Sequence, residues 1–206
     1  MTAFGLGSEE AGPDPLEQFR QWLEAARTAT GARDDTMVLA TSTPDGRPSA
    51  RAVLMRGLDE NGLVFYTDTR SRKGEELAAN PRAAVVFLWP GLERQVRVEG
   101  EVAPVPGGEA DAYFVLRPRG HRLAAWASAQ SRPLDDRAEL ERRMRSLEAQ
   151  YADGNVPRPP YWGGYRLTPA EWEFWQGREN RVHDRVVYRR RAAAGGDGWE
   201  RVRLSP

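Results

Sequence analysis

Short apolar runs separated by turn-forming tetrads are the feature that most constrains the fold of this chain. Pro44-Asp45-Gly46-Arg47 separates the runs 37–43 and 49–56, and Asp59-Glu60-Asn61-Gly62 precedes the run 63–67. Glycine after Asp or Asn supplies the left-handed backbone that tight hairpins need. Strands joined by such short turns run in opposite directions, so the pattern predicts an antiparallel sheet.

The rest of the chain adds strands and a few helices to this beginning. Alternating or apolar runs predict further strands at 83–89, 94–105, 165–175, 182–190 and 199–204. Asp14-Pro15 is typical of a helix start, and Ser71 of a cap. Helices are predicted at 15–31, 72–79, 108–116, 123–127 and 135–151, the last with a Glu141/Arg145 pair. We expect an α+β chain: an antiparallel β-barrel with peripheral helices at 14–206, preceded by a mobile segment at 1–13.

Composition excludes several classes of function. The formal net charge of zero gives no general attraction to nucleic acid or to an acidic membrane. The absence of cysteine removes disulfides and thiolate ligands, and two histidines do not suggest a zinc site. No Gly-x-Gly-x-x-Gly or Walker-type loop occurs. Neither a membrane-spanning run nor a signal peptide is recognisable, so a cytoplasmic protein is expected.

One basic run near the end of the chain is a candidate ligand site. After Trp175 come three basic residues that are each two positions apart: Arg181, His183 and Arg185. In an extended chain this spacing puts their side chains on one face. Two guanidinium groups flanking an imidazole would suit a planar or phosphorylated anion. A solvated basic edge strand explains the same residues equally well.

Four other groups carry polar side chains with possible functions. Ser71-Arg72-Lys73-Gly74 opens a helix, where free backbone N–H groups and two cations could hold a phosphate. An ordinary capped surface helix is the alternative. A second group lies near the end of a predicted helix, where Tyr113 and Arg117 share one face near Arg119 and His121. A third group is a pair of arginines on opposite faces of one predicted strand, Arg51 and Arg56. Gln95, Gln130 and Ser131 could bond a heteroaromatic ring or the backbone.

Taken together and in order, the sequence motifs resemble the pyridoxamine 5'-phosphate oxidase family from residue 14 to the C-terminus. They include Val-Phe-Tyr-Thr at 64–67, Ser-Arg-Lys at 71–73, Glu-Arg-Gln-Val at 93–96, Ala-Trp-Ala-Ser-x-Gln-Ser at 125–131, Trp-Gly-Gly-Tyr-Arg at 162–166 and the closing Phe-Trp-Gln-Gly…Arg-Val-His-Asp-Arg. The resemblance implies a split β-barrel homodimer with FMN at the subunit interface. It also implies oxidation of pyridoxamine or pyridoxine 5'-phosphate by molecular oxygen, giving pyridoxal 5'-phosphate and hydrogen peroxide.

The resemblance also assigns residues to the two ligands. Arg181 and His183 correspond to the residues that flank the substrate ring and are the predicted catalytic pair. The substrate phosphate is assigned to Arg56, Tyr113, Arg117 and His121. FMN is assigned to Arg51, Ala52, Val53, Leu54, Met55, Tyr66, Thr67, Arg72, Lys73, Gln95, Gln130, Ser131, Trp175 and Arg185.

Three departures from the family pattern all concern the substrate side. Arg56 stands where the family usually has lysine, His121-Arg122 stands where it has Ser-Gln, and residues 1–13 contain no Arg or Tyr. Arginine and lysine are not equivalent at a tight anion site. Two alternatives therefore stay open: an FMN oxidase of the same fold that acts on another heteroaromatic compound, as in phenazine-type biosynthesis, and a non-catalytic binder of FMN or pyridoxal phosphate.

Overall fold

The computed structural model describes residues 11–30, 35–191 and 198–206. These ranges contain five α-helices: α1 (Pro15–Thr30), α2 (Arg72–Ala79), α3 (Gly107–Val115), α4 (Arg119–Ala127) and α5 (Arg137–Gln150). They contain nine strands: β1 (Thr36–Ser42), β2 (Pro48–Leu54), β3 (Gly57–Asp59), β4 (Gly62–Asp68), β5 (Arg82–Trp89), β6 (Arg94–Pro104), β7 (Trp162–Gln176), β8 (Asp184–Arg190) and β9 (Trp199–Leu204).

All nine strands belong to one antiparallel sheet that curls into a half-barrel. The order is β2-β1-β5-β6-β7-β4-β3, and β8 pairs with both β7 and β9. β7 is 15 residues long, so β6 lies along one edge while β4 and β8 share the other edge, one at each end of β7. The register of the two strands shifts between Glu99 and Gly100 of β6, which leaves Ala170 of β7 unpaired in a β-bulge. A Cβ on Gly100 would lie 2.0 Å from the Thr168 carbonyl oxygen, so this approach requires glycine.

The core lies between one face of the sheet and helix α1. Aromatic side chains of α1 make its central contacts: the ring centroid of Phe19 lies 4.8 Å from that of Phe87 and 5.3 Å from that of Trp172. Trp22 meets Phe174 edge-on at 5.3 Å. These five rings are buried, and burial of such large apolar side chains is the main force that holds the helix on the sheet.

The opposite face of the sheet, here called the outer face, is polar in one half and apolar in the other. Strand register aligns Gln95, Trp175 and Arg185 in one row across β6, β7 and β8. Arg97 pairs with Glu173 in the next row. On the apolar half, three large side chains are exposed to 44%, 43% and 58%: Val38, Leu54 and Leu88. A face of this composition is typical of a surface that another chain covers.

Most predicted elements are confirmed, with boundaries shifted by one to three residues. Asp14 accepts the backbone N–H of Leu16 at the start of α1. Gly46 and Gly62 have φ values of 86° and 125°, as the turn tetrads require. Helix α4 is longer than the predicted 123–127 because Pro118 precedes its first turn. In α5, Glu141 accepts from Arg137 instead of from the predicted Arg145.

Two predictions about the strand faces of basic residues are wrong. β2 ends at Leu54, so Arg56 does not lie on the strand of Arg51. Arg56 lies in the connection to β3, and its backbone N–H donates to the Val64 carbonyl. β8 begins only at Asp184, after a 3₁₀ turn at Glu179–Arg181. Arg181 has a φ of 60°, a left-handed conformation that interrupts an extended chain. Arg181 and His183 therefore do not share a strand face with Arg185.

The predicted segment 1–13 falls largely outside the described residues. Of its last three positions, Ala11 is buried and its carbonyl accepts a hydrogen bond from Arg201. The Tyr188 hydroxyl donates to the Gly12 carbonyl at 2.7 Å. The end of the segment is thus fixed to the sheet next to α1. The sequence also predicts a turn at Gly195-Gly196-Asp197-Gly198 between the last two strands, and the first three of these residues lie outside the described residues.

Candidate functional site

A cleft of about 610 Å³ lies between β2, β4, α2 and the α3–α4 connection. It brings together distant parts of the sequence through the pairing of β4 with β7, the packing of α2 against β1 and the packing of α3 against β7. Its lining contains most of the residues assigned to FMN and substrate on this side of the sheet: Arg51, Ala52, Val53, Leu54, Arg56, Tyr66, Thr67, Lys73, Tyr113, Arg117, His121 and Gln130. Leu116, Pro118 and Trp162 complete the lining.

Lys73 carries a buried positive charge at the inner end of this cleft. Its ammonium group donates to Thr67 Oγ1 and Gln130 Oε1, both at 2.9 Å, and to Ser71 Oγ at 3.2 Å. All three acceptors are neutral. Burial, and then the nearby Arg51 guanidinium, lower the pKa of Lys73 to about 8. A cation so placed is stabilised by any anion that enters the cleft.

The position of Lys73 depends on how helix α2 begins. Gly74 packs so closely on the preceding turn that a Cβ would lie 2.1 Å from the Thr69 carbonyl oxygen. Ser71 is the N-cap residue of α2, as predicted, but its side chain makes no capping hydrogen bond, since its hydroxyl donates to the Asp68 carbonyl at 2.6 Å. Ser71 Oγ is therefore oriented to accept from Lys73, and the first turn of the helix keeps free N–H groups.

Glu76 fixes the two arginines beside the lysine. It is buried, and one of its oxygens accepts from Thr41 at 2.5 Å and from Ser49 at 2.6 Å. Arg72 donates to its other oxygen at 2.8 Å, and Arg51 lies 3.3 Å away. Burial alone would raise the pKa of Glu76, but these hydrogen bonds outweigh it and lower the pKa to about 2. Arg72 is held on the outside and does not line the cleft.

Three aromatic rings form the wall of the cleft at its outer end. Tyr66 lies nearly parallel to Tyr113, with ring centroids 4.1 Å apart, and to Trp162, with centroids 5.2 Å apart. Gly164 makes this arrangement possible because a Cβ there would lie 2.6 Å from the Tyr66 ring. Burial, followed by the charge of Glu109, raises the pKa of Tyr66 to about 12. Tyr66 therefore stays uncharged at physiological pH.

Arg117 extends this wall with a charge that has no ion-pair partner among the described residues. Its guanidinium carbon lies 4.6 Å from the Trp162 centroid, a cation–π contact. In the described part of the chain, its buried Nη1 has no hydrogen-bond partner. Burial and the nearby Arg56 both lower the pKa of Arg117. A buried guanidinium nitrogen without an acceptor is costly, so this position favours an anionic ligand.

The predicted phosphate group of residues is brought together in the cleft. Arg56 and His121 lie at its exposed edge, while Tyr113 and Arg117 line its wall. Helix α3 ends at Val115, so Arg117 approaches through the connection to α4 and not from the helix itself. His121 is in the first turn of α4, where its backbone N–H donates to Pro118.

Several residues assigned to FMN lie away from this cleft. Gln95, Trp175 and Arg185 form the row on the outer face, where Arg185 Nε donates to Glu173 Oε1 at 2.7 Å. Met55 is buried in the core. Ser131 follows Gln130 with a φ of 70° and lines a separate, smaller pocket.

The predicted catalytic pair lies next to this row and not beside the cleft. The His183 ring packs against Trp175, with centroids 4.6 Å apart. Arg181 is exposed, and it shares the left-handed backbone of Asn180, whose φ is 56°. Two successive non-glycine residues in this conformation are strained, a condition often found at functional loops.

Both groups of residues lie in regions of the chain that match known family models. Residues 17–151 match the family model described as pyridoxamine 5'-phosphate oxidase, and residues 162–206 match the pyridoxine 5'-phosphate oxidase C-terminal dimerisation region. The chain belongs to the pyridoxamine 5'-phosphate oxidase family. This is a family of enzymes, and its dimerisation region covers β7, β8 and β9, which supports a homodimer.

Relatives of the same family match along the full chain. A pyridoxine/pyridoxamine 5'-phosphate oxidase from Rubrobacter xylanophilus is 56% identical, with 100% of this chain and 93% of the relative covered. One from Cupriavidus taiwanensis is 53% identical, with 98% and 93% covered. Among solved structures, PhzG from Burkholderia lata 383 in complex with tetrahydrophenazine-1-carboxylic acid has a TM-score of 0.88 at 33% identity, covering 96% of this chain and 95% of that one.

The structure also shows what residue patterns alone missed. Glu76 was not assigned a role, although its spacing of four from Arg72 predicts an ion pair on one helix face. Trp162 was recognised only as part of a motif, yet it packs against Tyr66 and under Arg117. No helix in the described ranges is long and apolar enough to span a membrane.

Proposed function

We propose that this member of the pyridoxamine 5'-phosphate oxidase family catalyses the FMN-dependent oxidation of pyridoxamine 5'-phosphate, pyridoxine 5'-phosphate or both. Molecular oxygen is the final acceptor, and the products are pyridoxal 5'-phosphate and hydrogen peroxide. One observation carries the proposal: a single cleft holds the buried ammonium of Lys73 and the buried Nη1 of Arg117, whose hydrogen bonds in the described structure include no carboxylate. The full-length relatives at 51–56% identity bear the matching name.

The inner end of the cleft fits the phosphate of FMN. Lys73 supplies a charge surrounded by neutral acceptors, and helix α2 supplies N–H groups at its first turn. Arg51 lies beside it, fixed by Glu76. The backbone of β2 at 52–54 lines the adjoining wall, where a flat ring can lie against the strand. When bound, FMN would accept the hydride from the substrate and react with oxygen.

The outer-face row would complete this site from the partner subunit. Gln95, Trp175 and Arg185 do not line the cleft of their own chain. Trp175 and Arg185 belong to the matched dimerisation region. The exposed Val38, Leu54 and Leu88 on the same face give the partner an apolar surface to cover. We therefore place one FMN in each cleft of a homodimer, between two unlike half-sites.

The outer end of the cleft would hold the substrate phosphate. Arg117 Nη1 is the buried donor that lacks an acceptor, and Arg56, Tyr113 and His121 add donors around it. The partner subunit would supply Arg181 and His183, which lie next to its row of Gln95, Trp175 and Arg185, and these two side chains would flank the pyridine ring. Their part in the reaction is to orient the ring and to donate hydrogen bonds, because the cofactor supplies the redox chemistry.

A second candidate is oxidation of another heteroaromatic acid. The PhzG structure, solved with tetrahydrophenazine-1-carboxylic acid, has the same fold over nearly the whole chain. A carboxylate could pair with Arg117 as a phosphate does. Arg56 and His121 are bulkier than the residues usual in the family and narrow this end of the cleft.

The deciding experiment is an assay of the purified protein under air. We expect a yellow protein with a flavin spectrum that consumes oxygen and forms the aldehyde with pyridoxamine or pyridoxine 5'-phosphate. Non-phosphorylated pyridoxine serves as the matched substrate control and should turn over far more slowly. A flavin-loaded protein that oxidises neither pyridoxamine 5'-phosphate nor pyridoxine 5'-phosphate, but does oxidise a dihydrophenazine carboxylate, would establish the second candidate. A protein that binds no flavin would refute both.

A further inference from the structure

The short connection between β7 and β8 fixes the imidazole of His183 by a hydrogen bond whose direction is known. The backbone N–H of Arg178 donates to His183 Nδ1 at 3.1 Å. A backbone amide can only donate, so Nδ1 must accept. In a neutral imidazole one nitrogen accepts and the other carries the proton. The proton of neutral His183 is therefore on Nε2.

Two further contacts hold the ring and the donor in place. Trp175 packs against one side of the imidazole at 4.6 Å between centroids. The Arg178 side chain donates to Asp184 Oδ2 at 2.7 Å, and Arg203 donates to Asp184 Oδ1 at 2.6 Å. Asp184 thus ties both ends of the connection together, from Arg178 at its start to β8 at its end.

The charged groups around Asp184 keep this tie intact at neutral pH. Burial would raise the pKa of Asp184, but the hydrogen bonds from Arg178 and Arg203 outweigh it and lower the pKa. The carboxylate is therefore ionised when the enzyme works. Gly177 anchors the same connection to the sheet, since its N–H donates to Glu93 at 2.7 Å. The imidazole is held on a fixed support and not on a freely moving loop.

We propose that Asp184 and Arg178 are positioning residues that hold His183 as the Nε2–H tautomer, so that His183 acts on the substrate as a hydrogen-bond donor. The inference rests on the proposed function only in that His183 faces the substrate. A neutral His183 held in this way has no free lone pair, so it is not the group that takes a proton from the substrate. Its Nε2–H can only donate, either to the ring nitrogen or to an oxygen substituent of the substrate's pyridine ring.

The tautomer can be read directly by ¹⁵N NMR because the chain contains only two histidines. The His121→Gln variant identifies the His183 signals. We expect an acceptor-type Nδ1, a protonated Nε2, and a scalar coupling between the Arg178 amide nitrogen and His183 Nδ1. Asp184→Asn should weaken that coupling, whereas Asp153→Asn, in an exposed turn, should not. A proton found on Nδ1 in the neutral ring would overturn the proposal.

Substitution of His183 tests the donor role in turnover. In glutamine the side-chain amide reaches about as far as Nε2, and in asparagine about as far as Nδ1. His183→Gln should therefore retain turnover within about tenfold, because one hydrogen bond of ordinary strength is at stake. His183→Asn should lose at least a further tenfold, with FMN retained in both. Equal losses in the two variants would overturn the donor role, while wild-type protein without turnover would refute the proposed function and leave the NMR result standing.

Discussion

Raising the pH from 7 to 9 should weaken FMN binding through Lys73. Its ammonium group is the buried cation at the inner end of the cleft, and its pKa is lowered to about 8. A phosphate dianion bound there stabilises the charged form and raises that pKa again. The favourable contribution of this charge to the free energy of FMN binding is therefore fully present below pH 8 and is lost as the pH rises above it.

The size of the effect follows from this pKa. With a pKa of about 8 in the flavin-free protein, about nine-tenths of the lysine is protonated at pH 7 and about one-tenth at pH 9. If only the protonated form holds the phosphate, the dissociation constant rises about tenfold over this range. The phosphate itself stays a dianion, since its second pKa is about 6. Tyr66, with a pKa of about 12, does not titrate there.

Flavin fluorescence during titration of the flavin-free protein measures this constant at each pH. Lys73→Gln is the matched control, because it keeps a polar side chain and removes the charge. It should bind FMN about 10- to 100-fold more weakly at pH 7, the range for a hydrogen bond to a charged group. Its affinity should then change little up to pH 9. A wild-type affinity that is constant from pH 7 to 9, or a variant that keeps the wild-type slope, would refute the reasoning.

Three further predictions concern the substrate end and the core. Arg117→Ala should raise KM for pyridoxine 5'-phosphate about 10- to 100-fold, with FMN affinity within twofold of wild type by the same titration, because its buried Nη1 is the proposed phosphate donor. Gly164→Ala should lower the free energy of unfolding by about 1–3 kcal/mol in thermal or urea denaturation, since its Cβ would strike the Tyr66 ring. Gly107→Ala, where the nearest atom is 3.9 Å away, is its control and should be nearly neutral. Phe19→Ala should cost about 3–5 kcal/mol, because the ring is fully buried between α1 and the sheet; a loss under 1 kcal/mol would show that α1 is not anchored there.

Local patterns predicted the strands and helices well because their causes are local. The φ values of Gly46 and Gly62 satisfy turns that a few neighbouring residues already specify. The same holds for Asp14, which bonds the first turn of α1 two residues away. Such features need no knowledge of the rest of the chain.

Contacts in the cleft could not be predicted in this way because they join distant residues. Thr67 bonds Gln130 across 63 positions, and Lys73 bonds the same amide across 57. Only the motif resemblance placed these side chains at one ligand. The left-handed backbone of Arg181 also escaped prediction, since arginine has no preference for that conformation and the surrounding fold imposes it.

The position of the Trp175 row outside the cleft has a genetic consequence. If each flavin lies between unlike halves of two chains, a Lys73 variant and an Arg185 variant damage opposite halves of the same composite site. A mixed dimer with one chain of each variant would then contain one FMN site with both substitutions and one FMN site with neither. Random re-pairing of two inactive proteins should restore about a quarter of wild-type activity, as symmetry of a two-fold assembly requires.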